Sequence, residues 1–310
     1  MLEWTDRHQR MLMRCITRRA LLYTEMVTPS ALARDTRRHL AHHPREHPVA
    51  LQLGGSDPAE MARAAHLGQS AGFVEINLNL GCPSSRVGAG RFGATLMKAP
   101  RRAAAVVRAM VEATSVPVTV KLRIGVDERD RFDHLLALVD ELHQAGARTF
   151  IVHARKAWLQ GLSPKENREI PPLRHQWVLA LKAARPELEI ILNGGLQRPE
   201  AAHGWLEVLD GVMVGRAAYH YPARWLTVDP LFFQQPPPAN GPLEVLQAYL
   251  PYLREELSRG TPLAAMARHL LPLFHGLPGA RRWRRHLSRH MHRRGADETV
   301  VMEALGCLGV

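Results

Sequence analysis

Short apolar runs alternate with longer amphipathic stretches along most of the chain. The short runs predict seven strands: Leu21–Met26, Val49–Gly54, Gly72–Leu80, Pro117–Ile124, Thr149–Arg155, Glu189–Asn193 and Gly211–Gly215. The stretches between them predict helices over Pro58–Ser70, Ala99–Thr114, Phe132–Ala145, Pro172–Ala184 and Pro199–Leu209. Strands that alternate with helices of this length indicate βα units and a parallel sheet.

The number of strands bears on the fold class. A (β/α)₈ TIM barrel needs eight strands, whereas the chain opens on a predicted loop and helix over Trp4–Arg19. We therefore expect a barrel whose first strand is truncated, with the missing part before Met1. A doubly wound open sheet with seven strands is the alternative.

The pattern changes after Arg224. A proline-rich segment, Gln234–Pro242, precedes helical patterns over Leu243–Ser258, Pro262–His275, Ala280–Arg294 and Asp297–Leu305. We expect two domains, a barrel over residues 1–235 and a helical domain over residues 243–310.

Polar side chains fall late in several predicted strands. Side chains alternate faces along a strand, so in Gly72–Leu80 the polar residues share one face and the apolar residues share the other. Late inward positions converge at the carboxyl-end mouth of a parallel barrel, where active sites lie. The residues so placed are Glu25, Gln52, Asn77, Asn79, Lys121, His153 and Asn193. Solvated strand ends would explain any one of them, but seven together favour a polar site.

Two glycine-containing loops follow the last two predicted strands. Gly194 and Gly195 follow Asn193, and Gly215 precedes Arg216. Phosphate sites in such barrels form at these loops, because glycine lets backbone N–H groups approach an anion. Lys121 is either a structural cation or, beside a flavin, a group that holds negative charge near the reduced ring.

Charge indicates the kind of partner. Lys and Arg number 41 against 29 acids, a formal net charge of +12, with 17 histidines besides. No acid occurs from Leu270 to Ala296, where seven arginines surround Trp283. Such an excess favours a polyanion; a genome bias towards arginine would explain the arginines but not their excess over acids. We find no signal peptide, membrane span or metal-binding spacing, and expect a cytoplasmic, metal-free monomer.

One of the three cysteines lies in a chemically suggestive place. Cys82 stands between Gly81 and Pro83, just beyond a predicted strand, and the chain continues into a glycine-rich stretch from Val87 to Leu96. A thiol of ordinary pKa, about 8.5, is mostly protonated at neutral pH and can give a proton. A charged His153 nearby would instead favour a thiolate. The sequence leaves both open.

Several long motifs resemble the tRNA-dihydrouridine synthases. They are NLGCPS with Cys82, VKLRIG with Lys121, VHARKAWLQGLSPKENREIP from Val152, LNGG with Asn193, and VGR with Arg216. The stretches ARKAWLQGLSPKENR and GLPGARRWRRHLS resemble the A subfamily in particular. The resemblance covers essentially the whole chain.

This resemblance implies an activity. It implies a flavin mononucleotide (FMN) barrel with a helical domain that grips tRNA, reduction of the flavin by NADPH, and hydride transfer to C6 of a uracil in the D-loop. The cysteine that matches Cys82 would protonate C5 as general acid. The subfamily resemblance suggests tRNA positions 20 and 20a.

The resemblance also implies site residues. Those matching flavin contacts are Gln52, Lys121, His153, Asn193, Gly194, Gly195, Gly215 and Arg216, together with Met1 and Leu2, which are all that remains of a Pro-Met-Leu element. Those matching tRNA contacts are Asn79, Lys165, Arg168, Arg281 and Arg284.

Two other functions are considered. A flavin barrel acting on a free small molecule would not need the basic helical region. A non-catalytic RNA-binding barrel would not need Cys82, Lys121 and both glycine loops. A flavin spectrum separates the second alternative from the other two functions, and activity on tRNA but not on free uridine separates the remaining pair.

Overall fold

One curved sheet of seven parallel strands organises the part of the chain that the computed structural model describes, residues 1–84, 88 and 90–308. The strands are β1 (Leu22–Val27), β2 (Val49–Leu53), β3 (Glu75–Leu80), β4 (Val118–Arg123), β5 (Thr149–His153), β6 (Glu189–Asn193) and β7 (Gly211–Met213). Each strand pairs in parallel with the next along the chain. This sequential order confirms the α/β barrel class. A doubly wound sheet would reverse its order at a switch point, so that alternative is wrong.

Helices follow the strands and cover the outside of the sheet. Those of the barrel region are α1 (Arg7–Arg14), α2 (Pro29–Arg34), α3 (Thr36–Leu40), α4 (Pro58–Ser70), α5 (Pro100–Ala113), α6 (Phe132–Gln144), α7 (His175–Ala184), α8 (Pro199–His203), α9 (Arg216–His220) and α10 (Val228–Phe233). Helices α11 (Pro242–Ser258), α12 (Leu263–Leu270), α13 (Ala280–His290) and α14 (Glu298–Gly306) follow. Asp57 caps α4 by accepting from the Glu60 N–H at 2.9 Å.

Side chains alternate along the strands, so the sheet has one apolar face and one polar face. Ile76, Leu78 and Leu80 are fully buried between β3 and the helices. Glu75 and Asn77, on the opposite face of β3, are also buried but hydrogen-bond to other strands inside the curve of the sheet. The apolar core therefore lies outside the sheet, and a polar interior lies within it, as the period-two pattern predicts.

The first residues of the chain lie beside both edge strands of the described sheet, β1 and β7. The Glu3 N–H donates to the Glu25 carboxylate on β1. A Cβ built on Gly215, after β7, would lie 3.2 Å from the Met1 sulfur. Residues 1–3 thus approach the predicted mouth from the side where the edges face each other.

Some predicted helices are wrong at their ends. The helix predicted from Pro172 begins at His175, because the Arg155 guanidinium and the Ala154 carbonyl hold the preceding loop in an extended path. The helix predicted to end at His275 ends at Leu270, where Leu273 turns back to the Leu270 carbonyl. Short helices α2, α3, α9 and α10 were not predicted, since they carry too few residues for a periodic signal.

Val87 and Ala89 of the predicted glycine-rich stretch lie outside the described residues. Its later part forms a 3₁₀ helix over Gly93–Lys98, and the Ala94 N–H donates to the Cys82 carbonyl at 2.9 Å. Among helices of the described residues, none combines the length and apolar character that crossing a bilayer requires.

The C-terminal helices dock on α1. Arg7 pairs with the fully buried Glu256 of α11 at 3.0 Å. The buried His269 of α12 lies 3.0 Å from Asp6, and the Arg268 guanidinium also donates to that carboxylate. The His269 hydrogen bond and charge help to lower the pKa of Asp6, against the opposing effect of burial. Paired charges therefore join α1 to the helical region.

His8 makes this contact sensitive to pH. Its Nδ1 lies 2.7 Å from the Tyr252 hydroxyl, and burial lowers its pKa to about 4. An unfolded histidine titrates near 6.5, so between these values the unfolded chain binds a proton that the folded chain does not. Stability must therefore fall as pH decreases through this window.

Between pH 7 and pH 4, proton binding to His8 in the unfolded chain alone lowers the free energy of unfolding by about 3 kcal/mol. We expect His8→Gln to flatten the pH dependence of stability in this range, because it removes that group. Urea unfolding at a series of pH values measures this. His66→Gln, at an exposed position on α4, is the control and should leave the pH profile unchanged. An equally steep profile in His8→Gln would contradict the assignment.

Candidate active site at the carboxyl end of the barrel

Amide side chains link β2 and β3 just below the mouth. Gln52 Nε2 donates to Asn77 Oδ1 at 2.9 Å, and Asn79 Nδ2 donates to Gln52 Oε1 at 2.8 Å. Gln52 is 8% exposed and Asn77 is fully buried. The sequence predicted that these residues share a face; the structure adds that they satisfy one another, as buried polar groups require.

The same network continues to the floor of the barrel. Asn77 Nδ2 donates to Thr119 Oγ1 at 2.8 Å, and Thr119 Oγ1 donates to Glu75 Oε1 at 2.6 Å. The Tyr23 hydroxyl donates to the same oxygen at 2.7 Å. Burial raises the pKa of Glu75, while the two hydroxyl donors act to lower it.

Asn79 holds the cysteine loop. Its Oδ1 accepts from the backbone N–H groups of Gly81 and Cys82, each at 3.0 Å. The Cys82 thiol lies 3.6 Å from the Ser84 hydroxyl and is partly exposed at the mouth. The predicted position of Cys82 beyond the end of β3 is therefore confirmed by the backbone.

The other two cysteines have different surroundings. Cys15 is buried on the far side of α1, and burial raises its pKa to about 11. Cys307 lies near the C-terminus with its sulfur 3.5 Å from the Glu303 carbonyl. All three thiols are free, and Cys82 is the one placed at the mouth.

Lys121 on β4 and Asn193 on β6 continue the polar side chains of the mouth. Lys121 Nζ donates to Asn193 Oδ1 at 3.0 Å, and Asn193 Nδ2 donates to the Met213 carbonyl at 2.8 Å. Burial, with a smaller contribution from the nearby Arg123 charge, lowers the pKa of Lys121 to about 8. The ammonium group is thus close to titration in the physiological range.

His153 ends β5 between β4 and β6, in register with Arg123 and Asn193. Burial and the charges of Arg123, Lys121, Arg155 and Arg216 lower its pKa well below 6.5. The imidazole is therefore neutral at physiological pH.

Two glycines after β6 form a cradle next to this imidazole. Gly194 and Gly195 have φ values of +106° and +80°, which side chains rarely adopt. A Cβ on Gly194 would lie 2.5 Å from His153 Cδ2, and one on Gly195 would lie 2.7 Å from Leu173 Cδ1. Only glycine therefore fits at these two positions, in the loop after β6 where the sequence predicted a phosphate loop.

The second glycine loop follows β7. Gly215 is the N-cap residue of α9, which begins at Arg216. The Arg216 side chain lies 3.0 Å from the Glu169 carboxylate and donates to the Arg168 carbonyl at 3.1 Å. Met1 lies beside Gly215, whereas Leu2 is 60% exposed. The predicted flavin-binding residues therefore lie around the mouth, late in β2, β4, β5 and β6, in the loops after β6 and β7, and at the start of the chain, with Leu2 at the outer margin.

Arg123 joins two loops of the site, a role that the sequence did not reveal. Its Nε donates to the Gly81 carbonyl at 3.1 Å, and its Nη1 donates to the carbonyls of Lys156 at 3.1 Å and Asn167 at 2.8 Å. Arg123 is 4% exposed. The cysteine loop and the loop after β5 are thus fixed to one buried guanidinium.

Asn167 organises the loop after β5. It is fully buried, its Oδ1 accepts from the Trp158 N–H at 2.7 Å, and its Nδ2 donates to the Trp158 carbonyl at 2.9 Å. Two predicted tRNA contacts flank it: Lys165 is exposed and Arg168 is partly buried. Asn167 lies inside the long motif from Val152, but the motif did not reveal this role, because its partners are backbone groups brought near by the fold.

The basic helix α13 is connected to the mouth through aromatic contacts. Arg281 is exposed, and Arg284 lies 3.5 Å from the His275 ring nitrogen. His275 contacts Tyr221 edge to face, with ring centroids 4.7 Å apart, and Tyr221 follows α9. The predicted tRNA-binding arginines thus lie on a surface that continues from the barrel.

Together these features define a class of protein. A parallel barrel with a glycine loop, a neutral histidine, a half-buried lysine and a fixed cysteine loop at one mouth is typical of an enzyme active site.

Comparison with known proteins narrows the class. The sequence profile of the family described as dihydrouridine synthase (Dus) matches residues 1–306. A tRNA-dihydrouridine(20/20a) synthase of Escherichia coli strain K12 is 50% identical over 306 residues, covering 98% of this chain and 89% of that protein. Proteins with the same name from Xanthomonas axonopodis pv. citri and Yersinia pestis are 51% and 49% identical over 98% of this chain, and 91% and 89% of theirs.

The chain therefore belongs to the dihydrouridine synthase family of oxidoreductases. The family resemblance found in the sequence motifs is confirmed.

We expect Gly194→Ala to reduce the amount of flavin that copurifies with the protein, because the new Cβ would strain a left-handed backbone and meet His153. The absorbance ratio of flavin to protein measures this. Gly204→Ala is the matched control, since nothing lies within 4 Å of its Cβ. Full flavin content in Gly194→Ala would exclude this loop from the cofactor site.

Proposed function

We propose that this chain reduces uridine to dihydrouridine in tRNA, at positions 20 and 20a of the D-loop, the positions that the names of its relatives specify. The observation that carries the proposal is the Cys82 loop, which Asn79 and Arg123 fix above the polar mouth. Identity of about half the residues over 98% of the chain supports the same function.

The residues at the mouth fit FMN. Gly194, Gly195, Gly215 and Arg216 would hold its phosphate, while Gln52, Lys121, His153 and Asn193 would contact its ring or ribityl chain, with Met1 and Leu2 at its margin. The glycine loop beside His153, which admits no side chain, supports this fit. FMN bound there, reduced by NADPH, would supply the hydride for C6 of the uracil.

Lys121 places a positive charge at the mouth. Asn193 fixes the ammonium group through the 3.0 Å hydrogen bond. With a pKa of about 8 it is mainly protonated at neutral pH, so it would stabilise negative charge on a bound ring. The neutral His153 can donate or accept one hydrogen bond without adding a charge.

Cys82 would act as the general acid that protonates C5. The thiolate alternative raised from the sequence depends on a charged His153, and the neutral imidazole does not supply that charge. The Asn79 amide and the Ala94 N–H fix the backbone on both sides of the thiol. The sulfur is thereby held in one place, which an acid must be to deliver its proton in the transition state.

The tRNA would meet three groups of residues. Uracil is stacked inside folded tRNA, so the target base must leave its stack to enter the mouth. Asn79 lies where it could contact the entering base, and Lys165 and Arg168 lie on the neighbouring loop. Arg281 and Arg284 on α13 would bind the backbone further away.

The remaining properties follow from this function. We propose a catalytic barrel over residues 1–235 and a tRNA-binding helical domain over residues 243–310, acting as a monomer in the cytoplasm, where the tRNA substrate is found. The reaction as proposed uses no metal ion.

We expect Cys82→Ala to keep its bound flavin and its reduction by NADPH but to lose about 10²–10⁴-fold in the rate at which tRNA reoxidises the flavin. Stopped-flow absorbance separates the two half-reactions. Cys307→Ala is the matched control and should behave as wild type. A Cys82→Ala protein that reacts with tRNA at the wild-type rate would show that another group donates the proton.

We expect the double reversal Arg281→Glu and Arg284→Glu to weaken tRNA binding and to lower the slope of log affinity against log salt by about one to two, because phosphate contacts release counterions. Filter binding at several salt concentrations measures both. The control pair Arg63→Glu and Arg108→Glu changes the net charge equally at exposed sites on α4 and α5. If both double variants lost the same tRNA affinity, the loss would come from the net charge and not from contacts of α13.

A further inference from the structure

We propose that Glu75, at the floor of the barrel, is a positioning residue for Cys82 and acts through a one-way chain of side-chain hydrogen bonds. The chain passes from Glu75 through Thr119, Asn77, Gln52 and Asn79 to the Cys82 backbone. The proposal rests on the function proposed above, in which Cys82 is the acid.

The carboxylate fixes the direction of the first link. Thr119 has a single hydroxyl hydrogen, and it is committed to Glu75 Oε1 at 2.6 Å, where the Tyr23 hydroxyl also donates. The Thr119 oxygen can therefore act only as an acceptor towards Asn77. Asn77 must present its Nδ2 group there, and it does so at 2.8 Å.

The orientation of each amide then fixes the orientation of the next amide. Because Asn77 Nδ2 faces Thr119, its Oδ1 faces Gln52 and accepts from Nε2 at 2.9 Å. Gln52 then turns Oε1 towards Asn79, which donates from Nδ2 at 2.8 Å. A reversed amide at any step would bring two donors or two acceptors together.

The last link controls the cysteine loop. Asn79 Oδ1 accepts from the N–H groups of Gly81 and Cys82. A flipped Asn79 would set its NH₂ group against both backbone donors and release the loop that carries the thiol. Interiors of such barrels are usually filled by branched apolar side chains, so a buried polar chain ending at the site indicates a role in the site.

Thr119→Val tests the chain because valine keeps the shape of threonine without its hydroxyl, and Thr119→Ser is the matched rescue. We expect Thr119→Val to slow flavin reoxidation by tRNA about tenfold while NADPH reduces the flavin at the wild-type rate. Thr119→Ser should stay within about twofold of wild type. Thr149→Val, outside the chain on β5, should have no effect.

Glu75 itself is tested with a double-mutant cycle. Glu75→Met removes the acceptor and should reproduce the loss seen in Thr119→Val. Combining the two should cost no more than either alone, because both break the same chain. Flavin content near that of wild type identifies folded variants. Additive losses, an unaffected tRNA half-reaction, or equal slowing of both half-reactions would overturn the proposal.

Alkylation of Cys82 provides a readout that needs no tRNA. In a Cys307→Ala background, with Cys15 buried, iodoacetamide reports on Cys82. We expect Thr119→Val to raise its alkylation rate about threefold by loosening the loop, and Thr119→Ser not to. Unchanged alkylation would overturn the proposal. If the wild-type enzyme did not react with tRNA, the proposed function would be wrong. The alkylation rates would still show whether Glu75 and Thr119 position the loop that carries Cys82.

Discussion

The need to pair the polar groups buried inside the curved sheet governs this structure. The interior of the sheet holds Glu75, Asn77 and Thr119, each less than 10% exposed. If these groups had no hydrogen-bond partners, the folded state would be destabilised by several kcal/mol in total. They meet this demand by bonding across four neighbouring strands, β1 to β4, so the interior specifies one register and one set of amide orientations. The same bonds reach the mouth, where they end on the loop that carries Cys82.

Buried groups also connect the loops of the site to one another. Arg123 donates to carbonyls of the cysteine loop and of the loop after β5. Arg216 links the end of β7 to Glu169 of that same loop. The proposed cofactor side and the proposed tRNA side of the mouth are therefore parts of one bonded framework. Barrels of this kind can place diverse chemistry at one mouth because rigid strands support such loops.

The electrostatics of the mouth are set by burial more than by ion pairs. Burial lowers the pKa of Lys121 to about 8 and makes His153 neutral. The mouth thus combines Lys121, whose charge can change near neutral pH, with the uncharged imidazole of His153. Motifs alone left the state of His153 open, since it depends on desolvation and on four cations contributed by different elements. The alternative in which that histidine generates a thiolate loses its support for the same reason.

The sequence by itself determined the parallel barrel, because period-two alternation and βα spacing are local properties that survive without tertiary contacts. It also placed Lys121, His153 and Asn193 late in their strands and Cys82 just beyond β3, all at one end of the sheet. Only the tertiary structure decided which partners they have. Thr119 and Glu75 lie 44 residues apart, Arg123 acts on backbone carbonyls that any residue could provide, and Asn167 bonds to its own loop. Such pairings depend on distance in space, which strand order brings about and no local pattern records.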